Sequence, residues 1–326
     1  MPVIKFENVS KTYQGGVEAV RNLSLEVLEG ETLVLLGTSG CGKTTTLKMV
    51  NRLVEPTSGR VFIQGRSVMA QSEIALRRDI GYAIQHIGLF PHMSVGENIA
   101  VVPRLLDWTE QRINERIDRL LGMVGLRPEQ FRQRYPAQLS GGQRQRVGVA
   151  RALGADPPVV LMDEPFGALD PITREELQEE FIKLQAKLQK TIVFVTHDVF
   201  EAVRMADRIA LMDQGRLQQL AEPAELVENP ANEFVDNFLG QHRFQLSLLT
   251  RTVRSLILES DGAERQERPQ DSLSVHDSFI AALDMFKRTA RSTLPVYDEK
   301  ALAGHLDKHR LLSEITTALD ETGGRS

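Results

Sequence analysis

The segment from Gly37 to Thr46, GTSGCGKTTT, combines glycines, a lysine and threonines at a spacing suited to binding phosphate. It matches G-x-x-x-x-G-K-[ST], follows the apolar run Leu33 to Leu36 and opens a helical pattern. The glycines let the backbone wrap so that its N–H groups and the helix N-terminus face an anion. We expect Lys43 to reach the β- and γ-phosphates of a nucleotide and the Thr44 hydroxyl to ligate Mg²⁺.

Two further apolar runs end in residues that could do chemistry. VVLMDEP places Asp163 and Glu164 at the end of one predicted strand, and IVFVTHD places Thr196 and His197 at the end of another. Ligands bind at this end of the strands in open α/β sheets. We expect Asp163 to hold the Mg²⁺ shell, Glu164 to polarise the attacking water as general base, and His197 to lie by the γ-phosphate. Alone, each would be an ordinary polar strand end, and the preceding phosphate loop favours the catalytic interpretation.

A second glycine-rich turn, Ser140-Gly141-Gly142, runs straight into the helical pattern QRQRVGVARAL. We call it the Ser-Gly-Gly turn. The N-terminus of a helix is a ready anion site, and this one suits a γ-phosphate. The chain's own phosphate loop cannot hold its nucleotide at the same place, so the turn is expected to serve a nucleotide bound by another copy of the chain.

The intervening pattern predicts an α/β core with a parallel sheet. Continuous apolar runs, typical of strands covered on both faces, lie at Leu33 to Leu36, Val159 to Met162, Ile192 to Val195 and Ile209 to Met212. A helical stripe carries Leu177, Phe181, Leu184 and Leu188. The first thirty residues alternate as antiparallel strands do, and residues from about 90 to 155 predict a helical insertion with a helix stop at Gly125.

The character of the chain changes beyond Gly240. The polar segment 259–271, ESDGAERQERPQD, is typical of a linker, and we assign 241–271 to it. From about 272 to 326 we predict a helix capped by Asp277 and carrying Ile280, Leu283 and Phe286, then a strand LPVYD, a turn, a strand AGHL and a final helix.

Composition sets limits on function. Length and 41% hydrophobic residues allow one large domain with a smaller one, and a net charge of −5 argues against nonspecific binding of nucleic acid or of an anionic membrane. One cysteine, Cys41, cannot form an internal disulfide. We find neither a signal peptide nor a run of about 18 apolar residues, so we expect a chain that is neither exported nor membrane-spanning.

In type and order these motifs resemble those of the ATP-binding cassette (ABC) family, whose signature motif has the form LSGGQRQRV at 139–147. The resemblance covers residues 1 to about 240. It implies a P-loop nucleotide-binding core with an antiparallel β subdomain and a helical subdomain, and ATP and Mg²⁺ as cofactors. Nucleotide contacts within one copy would then come from an adenine-stacking aromatic residue and the phosphate loop, namely Tyr13, Gly37, Thr38, Ser39, Gly40, Cys41, Gly42, Lys43, Thr44 and Thr45.

The resemblance also assigns residues to catalysis, metal binding and the second copy. Gln85 resembles the glutamine that senses Mg²⁺ and the attacking water. The catalytic set is then Glu164, His197 and Gln85, and the metal set is Thr44, Gln85 and Asp163, with Asp163 acting through water. The partner copy would contribute Ser140, Gly141, Gly142, Gln143 and Asp170, the last from a dimer-contacting loop.

A single cassette without a membrane span resembles the motor subunit of a bacterial importer. Its implied partners are a second copy in a head-to-tail dimer, integral-membrane permease subunits and a separate substrate-binding protein, with no nucleic acid. The implied location is peripheral, on the cytoplasmic face of the inner membrane. Segments such as IGLFPHMSVGENIAVVPRLLDW and MDEPFGALDPITREELQEE resemble the ATPases of quaternary-amine osmoprotectant importers, which carry glycine betaine, choline or carnitine.

The C-terminal part, 272–326, resembles one cystathionine-β-synthase (CBS) repeat, a small α+β module that normally occurs in pairs. It could sense nucleotide or ionic strength, or stabilise a dimer, or be degenerate. Three other functions stay open from the sequence. One is an importer ATPase for another solute such as an amino acid or sulfonate. The second is an ABC ATPase acting on nucleic acid or ribosomes, and the third is a nucleotide-binding regulator without hydrolysis.

Overall fold

The computed structural model of the chain describes residues 2–84, 88–167, 169–259, 269–299 and 301–323. They form two compact units, Met1–Leu220 and Ala221–Ser326. The first unit holds all of the motifs that predicted chemistry, and the second holds the predicted CBS-like segment.

The first unit alternates strands and helices. Its strands are β1 Pro2–Thr12, β2 Glu18–Leu28, β3 Thr32–Gly37, β4 Ser58–Ile63, β5 Arg66–Ser67, β6 Ile80–Ala83, β7 Val159–Asp163, β8 Thr191–Val195, β9 Arg208–Asp213 and β10 Arg216–Ala221. Its helices are α1 Lys43–Val50, α2 Glu73–Arg78, α3 Val95–Leu105, α4 Glu110–Met123, α5 Pro128–Phe131, α6 Gly141–Ala152, α7 Pro171–Leu188 and α8 Val199–Met205.

A six-stranded sheet in the order β10-β9-β3-β8-β7-β6 carries the chemistry. Strand β3 runs parallel to β8 and β9, and β7 runs parallel to β6 and β8, so the predicted parallel sheet is confirmed. Strands β3, β7 and β8 are buried along their whole length, which explains their continuous apolar sequences. The register sets Gly37 beside Met212 and Asp163 beside Val195, so the carboxyl ends of these strands form one edge.

A second sheet has the order β2-β1-β4-β5, with antiparallel pairing throughout. Its alternating inward residues, among them Ile4, Phe6 and Val27, share one core with Leu35 and Leu47 beside the parallel sheet. The packing holds β2 next to the helix that follows the phosphate loop, and both sheets therefore share one core.

Helices α3 to α6 form the predicted helical insertion. Ser94 and Glu97 close a capping box at the start of α3, because each side chain accepts from the backbone N–H of the other. Helix α4 buries Ile113, Ile117, Leu120 and Leu121 on one stripe. It ends before Gly125, whose φ of 68° lies in the left-handed region that glycine adopts at low cost.

The second unit contains five α-helices and four strands among its described residues. The helices are α9 Pro223–Glu228, α10 Glu233–Leu239, α11 Arg243–Thr250, α12 Phe279–Thr289 and α13 Lys308–Gly323, and the strands are β11 Leu258–Glu259, β12 Leu273–Ser274, β13 Thr293–Asp298 and β14 Ala301–Asp307. The strands pair in the order β11-β14-β13-β12. Phe279, Phe286, Leu294 and Leu306 belong to its buried core.

Two expectations for this region need correction. Residues 243–256 of the expected linker 241–271 are not a linker, because α11 packs against α9, α12 and α13, and Leu248, Val253 and Leu256 are buried in the core of the second unit. The compact units also divide after Leu220, before the boundary at Gly240 that the sequence suggested.

The cap of α12 differs by one residue from the prediction. Ser278 accepts from the backbone N–H of Ala281 and is the N-cap. Asp277 instead accepts from the N–H of Ser274 at 2.8 Å and closes the preceding turn. Both residue types serve either role, which explains why the sequence alone placed the cap one residue early.

Candidate active site

The loop between β3 and α1 is a close-packed cradle of backbone. Gly42 has φ 105° and a Cβ there would lie 2.2 Å from the Ala19 carbonyl oxygen, so no larger residue fits. Gly37 is equally confined, because its Cβ would lie 2.1 Å from the carbonyl oxygen of Met212. The contacts with β2 and β9 hold the loop open over the N-terminus of α1, as anion binding requires.

Lys43, the first residue of α1, turns its side chain back into this loop. Its Nζ donates to the carbonyl oxygens of Gly37 and Thr38, both at 2.8 Å, and lies 3.7 Å from the Cys41 Sγ. The residue is only 6% exposed, so its positive charge is fixed in place rather than free in solvent. Burial raises the pKa of the Cys41 thiol, which keeps it neutral beside the ammonium.

Thr44 and Asp163 bring two oxygens together below the loop. The Thr44 hydroxyl donates to Asp163 Oδ1 at 2.9 Å. Asp163 is 4% exposed, and burial raises the pKa of its carboxyl group while the Thr44 hydrogen bond opposes that rise. Hydroxyl and carboxylate oxygens are the donors that Mg²⁺ takes beside nucleotide phosphates, so the pair fits that ion.

Glu164 and His197 meet at the adjacent strand ends. Glu164 adopts a left-handed backbone with φ 44°, and its N–H donates to the carbonyl oxygen of Val195 at 3.0 Å. Its Oε1 lies 3.3 Å from Nδ1 of His197. The left-handed backbone is unusual for a residue with a side chain, and such conformations concentrate at functional sites.

Lys43, Thr44, Glu164 and His197 line one cleft of about 510 Å³. Its lining residues are Ala19, Ser39, Gly40, Cys41, Gly42, Lys43, Thr44, Thr45, Glu164 and His197. A phosphate-binding loop, a lysine and a carboxylate–imidazole pair therefore share one space. The arrangement can bind a polyphosphate and accept a proton from a water molecule beside it.

Tyr13 lies at the side of the phosphate loop, after β1. Its hydroxyl is 3.3 Å from Thr45 Oγ1, and Lys11 Nζ lies 5.2 Å from the ring centroid. Tyr13 is 41% exposed, so the residue is accessible to solvent beside the phosphate loop.

The Ser-Gly-Gly turn lies outside the lining of this cleft. Ser140 caps α6, since its Oγ accepts from the Gln143 N–H at 3.3 Å and Gln143 Oε1 accepts from the Ser140 N–H at 3.0 Å. Ser140 is exposed, whereas Gly142 is buried where a Cβ would lie 2.7 Å from Thr173 Cγ2. The turn thus presents a capped helix N-terminus at the surface of the chain.

Asp170 is the N-cap of α7 and lies beside the Ser-Gly-Gly turn. Its carboxylate accepts from the Thr173 N–H at 3.1 Å, and hydrogen bonds with the side chain and then the backbone of Thr173 lower the pKa of Asp170. A Cβ on Gly141 would meet the Leu169 side chain at 3.9 Å. The structure therefore brings the Ser-Gly-Gly turn close to Asp170 and the N-terminus of α7. Gln85, the remaining predicted site residue, lies outside the described residues.

Comparisons with known proteins agree with this geometry. A family model described as ABC transporter matches residues 20–167. The choline transport ATP-binding protein OpuBA of Bacillus subtilis is 48% identical over 324 residues, covering 96% of this chain and 83% of that protein. The osmoprotectant import ATP-binding protein OsmV of Salmonella typhimurium is 51% identical over 271 residues, covering 82% of this chain and 69% of that protein. The chain belongs to the ABC transporter family.

A solved structure extends the likeness to three dimensions. A dimeric ATP-binding cassette in a post-hydrolysis state, bound to ADP and Pi, is 35% identical with a TM-score of 0.60 and covers 67% of this chain and 98% of its own. The fold class predicted for this ABC ATPase is thereby confirmed. In the described ranges, no helix combines the length and apolar character needed to cross a membrane.

Several residues that support the site of this ABC ATPase were missed by the sequence analysis. Asp213, at the end of β9, accepts from the Thr38 hydroxyl at 3.2 Å. Glu201 on α8 accepts from the Thr196 hydroxyl at 2.5 Å and from the Gln178 amide at 2.8 Å. Only the placement of Thr196 and Asp213 at strand ends could have pointed to these contacts, because Thr38 and Gln178 lie far along the chain from their partners Asp213 and Glu201.

Proposed function

We propose that this ABC ATPase is the motor subunit of an importer for quaternary-amine osmoprotectants, the class that contains glycine betaine, choline and carnitine. The observation that supports this cargo is the similarity to a choline transport ATP-binding protein over both compact units, 96% of the chain. The cassette itself binds and hydrolyses ATP, so no residue described here would touch the cargo.

We assign hydrolysis to the carboxylate and imidazole at the strand ends. Glu164 would accept a proton from water as the water oxygen bonds to the γ-phosphorus and the bond to the ADP oxygen breaks. His197, with Nδ1 at 3.3 Å from Glu164 Oε1, would orient the carboxylate and lie beside the γ-phosphate. The fixed charge of Lys43 would stabilise negative charge on the phosphate oxygens, because that charge is already in place before ATP binds.

Nucleotide and metal binding would involve residues from several separate parts of the chain. Tyr13 would stack on adenine, and the backbone N–H groups of the phosphate loop would bind the phosphates. Thr44 and Asp163 would hold Mg²⁺, Asp163 through water, with Gln85 as a further ligand. Bound Mg²⁺ would neutralise charge on the β- and γ-phosphates.

We propose that two copies share each ATP. The Ser-Gly-Gly turn lies at the surface, outside the cleft that holds the phosphate loop, and it is therefore available to a nucleotide on a second copy. Ser140, Gly141, Gly142 and Gln143 would approach the γ-phosphate, and Asp170 would lie at the contact between copies. A turn that recognises the γ-phosphate binds the ATP state better than the ADP state, so hydrolysis would loosen the dimer.

The remaining partners follow from the transport function. We propose integral-membrane permease subunits, which would hold the ATPase at the cytoplasmic face of the inner membrane, and a separate substrate-binding protein. The substrate-binding protein would bind the quaternary ammonium cargo through aromatic residues that attract the cation.

The function can be tested in a strain deleted for this gene. We would measure uptake of radiolabelled glycine betaine and choline at high osmolarity with the parent, Glu164→Gln, or the control Glu29→Gln, a residue on the exposed turn between β2 and β3. We expect the parent and the control to restore uptake and Glu164→Gln to fail, with purified hydrolysis reduced at least about 10²-fold. Uptake that is unaffected by the deletion would contradict the cargo assignment, and unchanged hydrolysis would remove Glu164 from the base role.

A further inference from the structure

A buried carboxylate lies directly behind the catalytic pair. Glu201 on α8 is only 5% exposed, and its two oxygens accept from the Thr196 hydroxyl at 2.5 Å and the Gln178 amide at 2.8 Å. Burying a carboxylate is unfavourable unless its oxygens are bonded, so the two donors are needed to keep it there. The cluster therefore restrains the residues that supply those donors.

The cluster fixes the residues on both sides of His197. The Thr196 hydroxyl, while donating to Glu201, also accepts from the backbone N–H of Asp198 at 3.0 Å. The backbone N–H of Thr196 donates to the carbonyl oxygen of Leu35 in β3 at 3.2 Å. The side chain of His197 is 62% exposed and so receives little packing of its own, which leaves its position to be set by these neighbours.

The same cluster reaches the helix that begins at Asp170. Gln178 lies one turn beyond Arg174 on α7, so both side chains face α8. Arg174 donates to the Leu169 carbonyl oxygen at 3.1 Å, and its Nη1 lies 4.0 Å from Asp198 Oδ2. Two successive turns of α7 are thus joined to the segment that carries His197.

We propose that Glu201 is a positioning residue for ATP hydrolysis. Through Thr196 it holds His197 at Glu164, and through Gln178 it ties that geometry to α7 and to the loop around Asp170. This inference rests on the proposed roles of Glu164 and His197. One buried carboxylate, Glu201, would then connect the surface offered to a second copy with the Glu164–His197 pair.

Steady-state kinetics on the purified full chain would test the role. Glu201→Ala is expected to lower kcat about tenfold or more with little change in KM for ATP, because binding groups stay in place while the catalytic pair loses its support. Glu201→Gln should keep most of the activity, since a Gln oxygen still accepts from Thr196 and its amide can pair with Gln178 after that side chain flips. Glu179→Ala, on the exposed face of α7, is the matched truncation control.

A double-mutant comparison separates positioning from general destabilisation. If Glu201 acts through His197, Glu201→Ala should lower single-turnover hydrolysis much less in a His197→Ala background than in the parent. The inference would be overturned if Glu201→Ala lowered the single-turnover rate by the same factor in both backgrounds. It would also be overturned if the kcat of Glu201→Ala, per nucleotide-binding site, equalled that of the parent.

Two further measurements keep the outcome decisive. If Glu201→Ala fails to fold, Gln178→Met can be used instead. This change removes one hydrogen bond to Glu201 but keeps Glu201 itself and the shape of α7. A kcat equal to that of the parent in this variant would overturn the inference. His197→Ala and Glu164→Gln are measured alongside. If both hydrolyse ATP as the parent does, the proposed site roles fail and this inference fails with them. If both are impaired and the Glu201 and Gln178 variants are not, the positioning role alone fails.

Discussion

The phosphate loop and the Ser-Gly-Gly turn are both glycine-rich segments at helix N-termini, and their surroundings differ. In the phosphate loop Lys43 is buried against the Gly37 and Thr38 carbonyl oxygens, and Thr44 is bonded to Asp163. The Ser-Gly-Gly turn has no basic residue at Ser140 to Gln143, and its caps come from its own Ser140 and Gln143 side chains. One segment has its charge and metal-binding groups within the same chain, and the other offers a helix N-terminus at the surface that is capped only by its own side chains.

The difference would explain how one chain can carry the two proposed anion sites without redundancy. A loop that supplies its own cation and carboxylate can bind nucleotide by itself. A helix N-terminus alone is a weak site, worth roughly 0.3–1 kcal/mol per charge when exposed. It gains importance when another copy delivers the anion to it, and changes in the two segments should therefore have different consequences.

The largest effect is expected for Lys43→Ala. The change removes the buried ammonium from the cleft, so the isolated chain should bind ATP weakly and hydrolyse it at least about 10²-fold more slowly. Fluorescent-nucleotide titration and phosphate release measure the two quantities, with Lys287→Ala on the exposed side of α12 as a control. Parental ATP binding by the Lys43 variant would show that the phosphate loop is not the primary site.

Ser140→Arg should separate the two segments. A bulky cation at the exposed turn blocks approach to a second copy, so hydrolysis should fall by about 10²-fold or more while ATP binding to the isolated chain stays unchanged. Mixing this variant with Lys43→Ala should restore activity, because the mixed dimer contains one intact shared site.

The mixing experiment requires evidence that dimers containing both variants form. Tagging the two variants differently and isolating dimers that carry both tags would provide it. Weakened ATP binding by Ser140→Arg alone would contradict the comparison, since it would place the Ser-Gly-Gly turn in the binding site of its own chain.

Alanine at the two glycines of the turn should have unequal effects on stability. A Cβ at Gly142 would lie 2.7 Å from Thr173 Cγ2, whereas at Gly141 the nearest atom is Leu169 Cδ2 at 3.9 Å. Gly142→Ala should therefore lower the free energy of unfolding by about 1–3 kcal/mol, and Gly141→Ala should leave it nearly unchanged. Denaturant unfolding measures both.

Thr173→Ser provides the control, because it removes the methyl group that a Gly142→Ala side chain would meet. The double variant should recover most of the loss. If it does not, the cost of Gly142→Ala has a cause other than this contact between α6 and α7.

The success of sequence analysis differed between parts of the molecule. Lys43, Asp163, Glu164 and His197 were predictable because a fixed motif or a strand end places each one, and parallel strand ends must meet at one edge. Glu201 was not, because an acidic residue in a helical pattern is normally solvated. Its burial depends on Thr196 and Gln178, and the contact between α7 and α8 is visible only in the folded chain.

The second unit shows a different limit. The buried residues Leu248, Val253 and Leu256 lie in a segment that we assigned to a linker because polar residues follow it. Their short apolar runs are compatible with loop or helix, and tertiary packing decides between them. Because of the polar stretch at 259–271, the sequence analysis placed the start of the linker too early in the chain, before the buried residues.

The smallest effect concerns two carboxylates, one behind the Glu164–His197 pair and one beside the Ser-Gly-Gly turn. Burial raises the pKa of Glu201 above 4.5, while the Thr173 hydrogen bonds lower the pKa of Asp170 below 3.8. The folded state holds the Glu201 proton more tightly than the unfolded state does, so its contribution to stability is full below the unfolded pKa and is lost as pH rises through the folded pKa. Asp170 has the opposite sign, because its contribution is full above the unfolded pKa and is lost as pH falls through the folded pKa.

Replacing each carboxyl group by an amide should therefore change the pH dependence of stability in opposite directions. Between about pH 3 and 7, Glu201→Gln should gain stability relative to the parent as pH rises, and Asp170→Asn should lose it. Urea unfolding without nucleotide measures both, and Asn is the matched choice at Asp170 because it also caps helices well. Parallel curves for both variants would contradict the assignment. Curves that diverge with opposite slopes would show that the buried Glu201 carboxylate lowers the stability of the fold at neutral pH. A residue kept only for stability would not carry such a cost, whereas a residue that positions the catalytic pair can.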